Sequence, residues 1–392
     1  MNGRATNDPA HDAAAQHDDI PAHSIPDILA ATAVPGMGRI GVRRLLDRFG
    51  NVGYARRASD RELQQIGLKR DVIRALRNGV ATFEPAEEIA RAGELNVELL
   101  PAHDERYPRG LRGLHDAPPL LYVKGALKAR DALSVALVGS RRASVYGRLM
   151  TERLAADLAR AGFTVVSGFA RGVDTVAHEA ALKAGGRTIG VLGSGLANIY
   201  PRENADLADR LEEQGALISE LPLGTTPSPA NFPPRNRLIA ALSLGVVVIE
   251  ASKRSGALIT ARMAGELGRD VFAVPGDVNR PQTRGTHSLI KDGAGLVESV
   301  DDVIEALGPL PQPLRIAEDE PPVENPRALA LNDRERKLYD LLDTRPREID
   351  ELARAAGLSA ANVMSTLTVL EIKRLVVRHP GPAFARAGGF ER

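Results

Sequence analysis

The chain is 392 residues long, enough for two or three domains at about 150 residues each. It carries 51 Lys and Arg against 50 Asp and Glu, a net charge of +1, so any electrostatic role must come from local clustering. With no Cys, no Trp and 4% aromatics, disulfides, thiolate metal sites, Fe–S clusters, a Cys nucleophile and an aromatic-rich stacking platform are excluded.

Residues 1–25 are mainly Ala, His and Asp and are expected to be a disordered tail; they hold no apolar stretch of the kind a secretory signal needs. No apolar run in the chain approaches the roughly 18 residues of a bilayer span, so the expectation is a soluble cytoplasmic protein without membrane contact. After Val34-Pro-Gly-Met-Gly38, residues Val42, Leu45, Leu46 and Phe49 fall at i, i+3, i+4, i+7, one buried face of a helix. Residues 63–76 repeat the idea and 87–92 add a helix, which predicts a small helical domain over 26–92. Its opening, Val34 to Arg44, resembles the hairpin of helix–hairpin–helix (SAM-like) domains, in which backbone amides at a helix start grip a phosphate; a packing role fits equally well.

From 93 to 308 short apolar, β-branched runs alternate with amphipathic stretches, the pattern of a doubly wound, mostly parallel α/β sheet. The predicted strands are Val135-Ala-Leu-Val138, Thr164-Val-Val166, Thr188-Ile-Gly-Val-Leu192, Ala216-Leu-Ile218, Val246-Val-Val-Ile249 and Val271-Phe-Ala-Val274. A helix is predicted over 145–161, and Leu120-Leu-Tyr-Val123 reads as an extra strand leading into the sheet. Residues 309–331 hold six prolines and Glu318-Asp-Glu320, a linker composition. Over 332–392, helices around Leu338, around Leu352 and from Ser359 to Leu370 precede a hairpin at Leu375 to Arg386, which is winged-helix order.

Ligands of an open parallel sheet bind beyond the carboxyl ends of its strands. The loops predicted there carry Arg141, Arg142, Arg171, Arg202, Arg235, Arg237, Lys253, Arg254, Arg280 and Arg284. Gly139, Ser140, Ser167, Gly168, Gly193, Gly195, Ser255 and Gly256 are the candidates for phosphate-cradling backbone at the starts of the following helices. A dinucleotide is a poor match. Gly-Ser-Arg stands where G-x-G-x-x-G belongs, and Ser167-Gly168 replaces the ribose-binding acid. A long polyanion fits better. Phe232, in Asn231-Phe-Pro-Pro-Arg-Asn-Arg237, is suited to stacking on an unpaired base or to plugging its own loop, and Tyr200 carries the same two readings.

Catalytic constellations are thin. Asp174 and His178 share a helix face but read as a surface or capping pair. Glu220 and Glu250 end strands, where pairing with Arg is the plainer role. No metal-ligand spacing and no cofactor motif is present. In the winged helix, Asn362 alone on the reading helix is suited to a base edge, and Lys373 and Arg374 come only afterwards, so a regulatory or protein-contact role is expected.

Together the motifs Gly139-Ser-Arg141, Ser167-Gly-Phe-Ala-Arg-Gly-Val-Asp174, Leu192-Gly-Ser-Gly195, Tyr200-Pro201, Phe232-Pro-Pro-Arg-Asn-Arg237, Ser255-Gly-Ala-Leu-Ile-Thr260, Val274-Pro-Gly276 and Gly285-Thr-His-Ser-Leu-Ile290 resemble the DNA-processing protein A (DprA/Smf) family over about 107–307. The resemblance implies an extended Rossmann-like domain that binds single-stranded DNA without sequence preference. It also implies homodimerisation through that domain, and protection of incoming DNA and loading of RecA recombinase during natural transformation. By motif matching, Arg141 and the segment Phe232, Arg235, Asn236, Arg237 are its best DNA contacts, with Arg142, Arg171, Lys253, Arg254 and Arg284 beside them. His287 stands where the family pattern has Asn. Two rival readings are a phosphoribohydrolase-like nucleotide enzyme using Glu250 or Glu220, and a winged-helix transcription factor with a ligand-sensing sheet.

Overall fold

A computed structural model describes residues 23–308 and 325–387. The expected tail over 1–25 lies outside these residues as far as 22, and the expected linker over 309–331 lies outside them from 309 to 324.

The β-branched runs are strands, and the central ones are buried along their whole length, which is why they show no polar alternation. In chain order they are β1 (Val97–Pro101), β2 (Leu120–Gly125), β3 (Ser134–Val138), β4 (Thr164–Ser167), β5 (Thr188–Val191), β6 (Ala216–Ser219), β7 (Gly245–Val248), β8 (Asp270–Ala273) and β9 (Gly295–Leu296). They form one nine-stranded sheet in the order β1-β2-β6-β5-β4-β3-β7-β8-β9. The sheet is mostly parallel, as the sequence predicts: β3 pairs with β4 and β7, β4 with β5, β7 with β8 and β8 with β9, all parallel. The exceptions are β1–β2 and β2–β6, which are antiparallel.

The chain divides into two compact units, 1–127 with 191–242, and 128–190 with 243–392. In the first, the helices Ile25–Thr32, Arg39–Phe49, Val52–Arg57, Asp60–Gln65, Arg70–Arg77 and Pro85–Glu94 gather around Leu29, Leu45, Leu46, Leu63 and Leu76. Helix Ile25–Thr32 opens where the sequence reading still placed tail. It is started by Ser24, which accepts from Asp27 N at 3.3 Å, and by Pro26 in its first turn. The antiparallel strands β1, β2 and β6 belong to the same unit.

In the second unit the helices Val145–Arg160 and Val173–Lys183 pack on the parallel strands around Val135, Leu137, Leu154, Leu158, Val165 and Val247. Strand β3 has β4 on one side and β7 on the other, so strand order reverses there. The crevice beyond the carboxyl ends of β3 and β7 is the topological switch point, where such sheets bind their ligands.

The last module matches winged-helix order. Helices Asp333–Asp340, Ile349–Ala356 and Ala360–Ile372 enclose Leu338, Leu352, Val363, Leu367 and Phe384, beside a small sheet of β10 (Arg347–Glu348), β11 (Val376–His379) and β12 (Ala383–Arg386). Gly357 ends the second helix at φ +64°, and Ser359 caps the third by accepting from Asn362 N at 3.3 Å.

Candidate nucleic-acid interface

In the second unit the loops beyond β3, β4, β7 and β8 are pinned to each other through their backbones. Val173 N donates to Ser140 O at 3.2 Å, and a Cβ on Gly172 would stand 2.3 Å from that same oxygen, so only glycine lets the two loops meet. Gly285 N donates to Ala251 O at 2.7 Å and ties the start of helix Arg284–Lys291 to the loop after β7. His287 Nε2 lies 3.0 Å from Gly276 O, so this ring ties the same helix to the loop after β8. Phe169, buried at φ +57°, is a strained non-glycine turn in the loop after β4.

On this rigid base Arg141, Arg142, Arg171, Lys253, Arg254, Arg280 and Arg284 are all exposed. Arg280 faces Asp277 at 3.8 Å; among the described residues, the side chains of Arg142, Lys253, Arg254 and Arg284 enter no ion pair. A solvated cation without a resident acid can trade its counterions for a phosphate at little cost. Of the cradle residues in this unit, Gly139, Ser140 and Ser255 are half-buried and Gly256 is exposed. Ser167 and Gly168 are buried, and Ser167 Oγ donates to Leu137 O at 2.6 Å, an interior bond of the sheet.

The helix end at this crevice is already occupied by an acid of the chain. Glu250 follows β7, is 1% exposed, and its carboxylate accepts from Ser144 N at 2.9 Å and Ser144 Oγ at 2.5 Å. Ser144 in turn caps helix Val145–Arg160 by accepting from Gly147 N at 3.1 Å. A Cβ on Gly147 would stand 2.4 Å from Glu250 Oε2. A carboxylate therefore sits at the positive end of the helix, where a dinucleotide fold holds pyrophosphate.

Asp174 and His178 do not form a surface pair. Asp174 Oδ2 accepts from Ala170 N at 3.2 Å within the loop after β4, while His178 is fully buried with Nδ1 2.6 Å from Thr188 Oγ1.

The first unit treats its share of the motif differently. The sequence reading takes 231–237 as a Pro-rigidified loop; the structure makes Phe232–Leu242 a helix, because proline in a first turn lacks only an N–H that the helix leaves unused. The helix is covered all round from Arg235 to Ala241, so Arg235, Asn236 and Arg237 are all buried although successive side chains point in different directions. Arg237 Nη2 donates to Glu220 Oε2 in a close contact, and its Nε lies 3.2 Å from Asp116 Oδ2. That oxygen also accepts from Arg39 Nε at 2.8 Å. Burial pushes the Glu220 carboxyl up and depresses the Arg237 guanidinium. Burial pushes Asp116 up as well, but the Arg39 hydrogen bond and the Arg237 charge outweigh it and hold the group below the ordinary carboxylate value.

Arg235 Nη1 donates to Val191 O. Phe232 packs against Gly193, where a Cβ would stand 2.9 Å from its ring, and 6.0 Å from the Tyr200 ring centroid. The ring is half-buried by these contacts. Gly193 and Gly195 are buried too, and Gly195 N is spent on Thr225 O at 2.9 Å. Arg202 is exposed. Asp116 and Arg39 were missed as partners because nothing local marks an acid in a connector as facing a distant helix.

Two family models match the chain: one described as DNA recombination-mediator protein A over residues 98–308, and one described as DprA winged helix domain over 320–382. The class so defined is a DNA-processing protein with an appended winged helix. Protein Smf of Synechocystis is 33% identical over 392 residues, covering 91% of this chain and 98% of that protein. Protein Smf of Escherichia coli is 49% identical over 213 residues, 54% of this chain but only 57% of the relative. The X-ray structure of DNA processing protein A from Streptococcus pneumoniae aligns with TM-score 0.62 and 35% identity over 71% of this chain and 96% of that one. The chain belongs to the DprA/Smf family.

Proposed function

We propose that the protein binds single-stranded DNA by its sugar–phosphate backbone, without sequence preference, at the switch-point crevice of the second unit. The observation that carries this is the set of exposed cations beyond β3, β4, β7 and β8, four of them outside any ion pair among the described residues. Family membership supports the larger reading: a cytoplasmic homodimer that protects incoming DNA and loads RecA recombinase without a catalytic step of its own. The two carboxylates a nucleotide hydrolase would use are engaged, Glu250 by Ser144 and Glu220 by Arg237.

Titrating fluorescent single- and double-stranded oligonucleotides at two ionic strengths tests the core of this reading. The single strand is expected to bind tighter, with log affinity falling linearly in log salt. Salt-independent binding would overturn it. Sedimentation of the free protein and recruitment of RecA to the coated strand test the dimer and the mediator role.

A further inference from the structure

The helix that Glu250 anchors begins with an apolar surface. Val145 is 76% exposed, Leu149 59% and Tyr146 38%, and Val278 in the loop after β8 is 73% exposed. Val145 and Leu149 stand at i and i+4, one above the other on the helix. Tyr146 Oη donates to Pro275 O at 2.8 Å, and its ring lies 3.8 Å from where a Gly276 Cβ would stand, so the 275–278 loop is fastened to the helix start. Large aliphatic side chains scattered singly over a surface need no explanation, but a cluster on a rigid, capped helix end does.

The side of the rim that Arg142 and Arg148 form decides the occupant. Arg142 precedes the helix and Arg148 lies on it, both exposed and outside any ion pair among the described residues. Of the exposed acids nearby, Asp277 is paired with Arg280, while Glu152 follows Arg148 by one turn and Glu298 faces Tyr146. An apolar floor with a cationic edge is complementary to an unpaired nucleotide strand, which offers base faces and phosphates side by side. A duplex hides those faces.

We propose that Val145, Tyr146, Leu149 and Val278 form a shelf on which the unpaired bases of the bound strand lie, with Arg142 and Arg148 holding the flanking phosphates. This rests on the reading of the crevice as a single-strand interface and deepens it. Phe232, the aromatic that the sequence puts forward for stacking, packs on Gly193 and lies 6.0 Å from the Tyr200 ring centroid; the shelf supplies base contacts in addition to any that Phe232 makes.

The test compares oligo-dT with an abasic oligonucleotide of equal length, which keeps the phosphates and lacks the bases. The double variant Val145→Ser, Leu149→Ser is expected to bind oligo-dT about tenfold more weakly, the scale of one stacked base, with an unchanged salt slope and unchanged abasic binding. Because the chain has no Trp, Tyr146→Trp adds a single reporter, expected to be quenched by oligo-dT and not by the abasic strand. Equal loss on both strands, or no loss on either, overturns the shelf. So does a shift in oligomeric state with DNA affinity intact, which would make the patch a contact between copies. If the wild-type protein binds neither strand, it is the interface reading that fails.

Discussion

Arg237 and Arg142 are the same side chain in segments that each come after a strand of one sheet, yet one is 6% exposed and the other lies in solvent. The first unit surrounds its cation with Glu220, Asp116 and Arg39; the second offers Arg142 no acid among the described residues. What separates a buried strut from an exposed cation open to an anion is therefore a carboxylate supplied by another part of the chain. Counting cations in loops overstates the surface open to an anion wherever such acids are present.

The sharpest way to break this contrast is to delete both cations. Arg237→Ala leaves Glu220 buried without its partner and is expected to cost about 3–5 kcal/mol in urea unfolding. Arg142→Ala is expected to stay within about 0.5 kcal/mol of wild type. Equal losses would erase the distinction. In DNA binding the order reverses: Arg142→Ala and Lys253→Ala should each weaken all sequences alike and lower the salt slope by about 1.

The two acids of the network should answer pH with opposite signs. Asp116 is held below its ordinary value, so its contribution is present above the ordinary carboxylate range and is lost as pH falls through the depressed value. In thermal melts Asp116→Asn should be less stable than wild type at neutral pH, with the gap closing in acid. Glu220 is raised by burial, so its contribution is present below the ordinary value and is lost as pH rises through the raised one. For Glu220→Gln the gap should therefore shrink toward alkaline pH, and parallel curves for the two variants would contradict the assignment. The smallest effect is the most diagnostic for function. If Arg237 were a phosphate contact masked by its acid, Glu220→Gln would strengthen oligo-dT binding; no gain is expected.

The parallel strands were legible because a strand covered on both faces must be apolar without alternation, and β3, β4, β5, β7 and β8 read that way. The winged helix was legible through its punctuation, Gly357 and Ser359. The antiparallel pairing of β6 with β2 was not, since a buried strand of four residues carries no mark of its neighbour's direction. In the site, the exposed cations of the second unit stood where strand ends predicted loops. Pro233-Pro234 reads locally as rigid coil, which puts Arg235 and Arg237 on a loop, whereas the structure uses the same pair to start a helix. The partnership of Glu250 with Ser144, separated by more than a hundred residues, had no local signal at all.

That partnership bears on which anions the helix end can admit. A tethered acid at the helix end competes with dissolved anions at an effective concentration set by the fold rather than by the medium. The phosphate of a free nucleotide would meet a helix end whose capping serine is already held by Glu250.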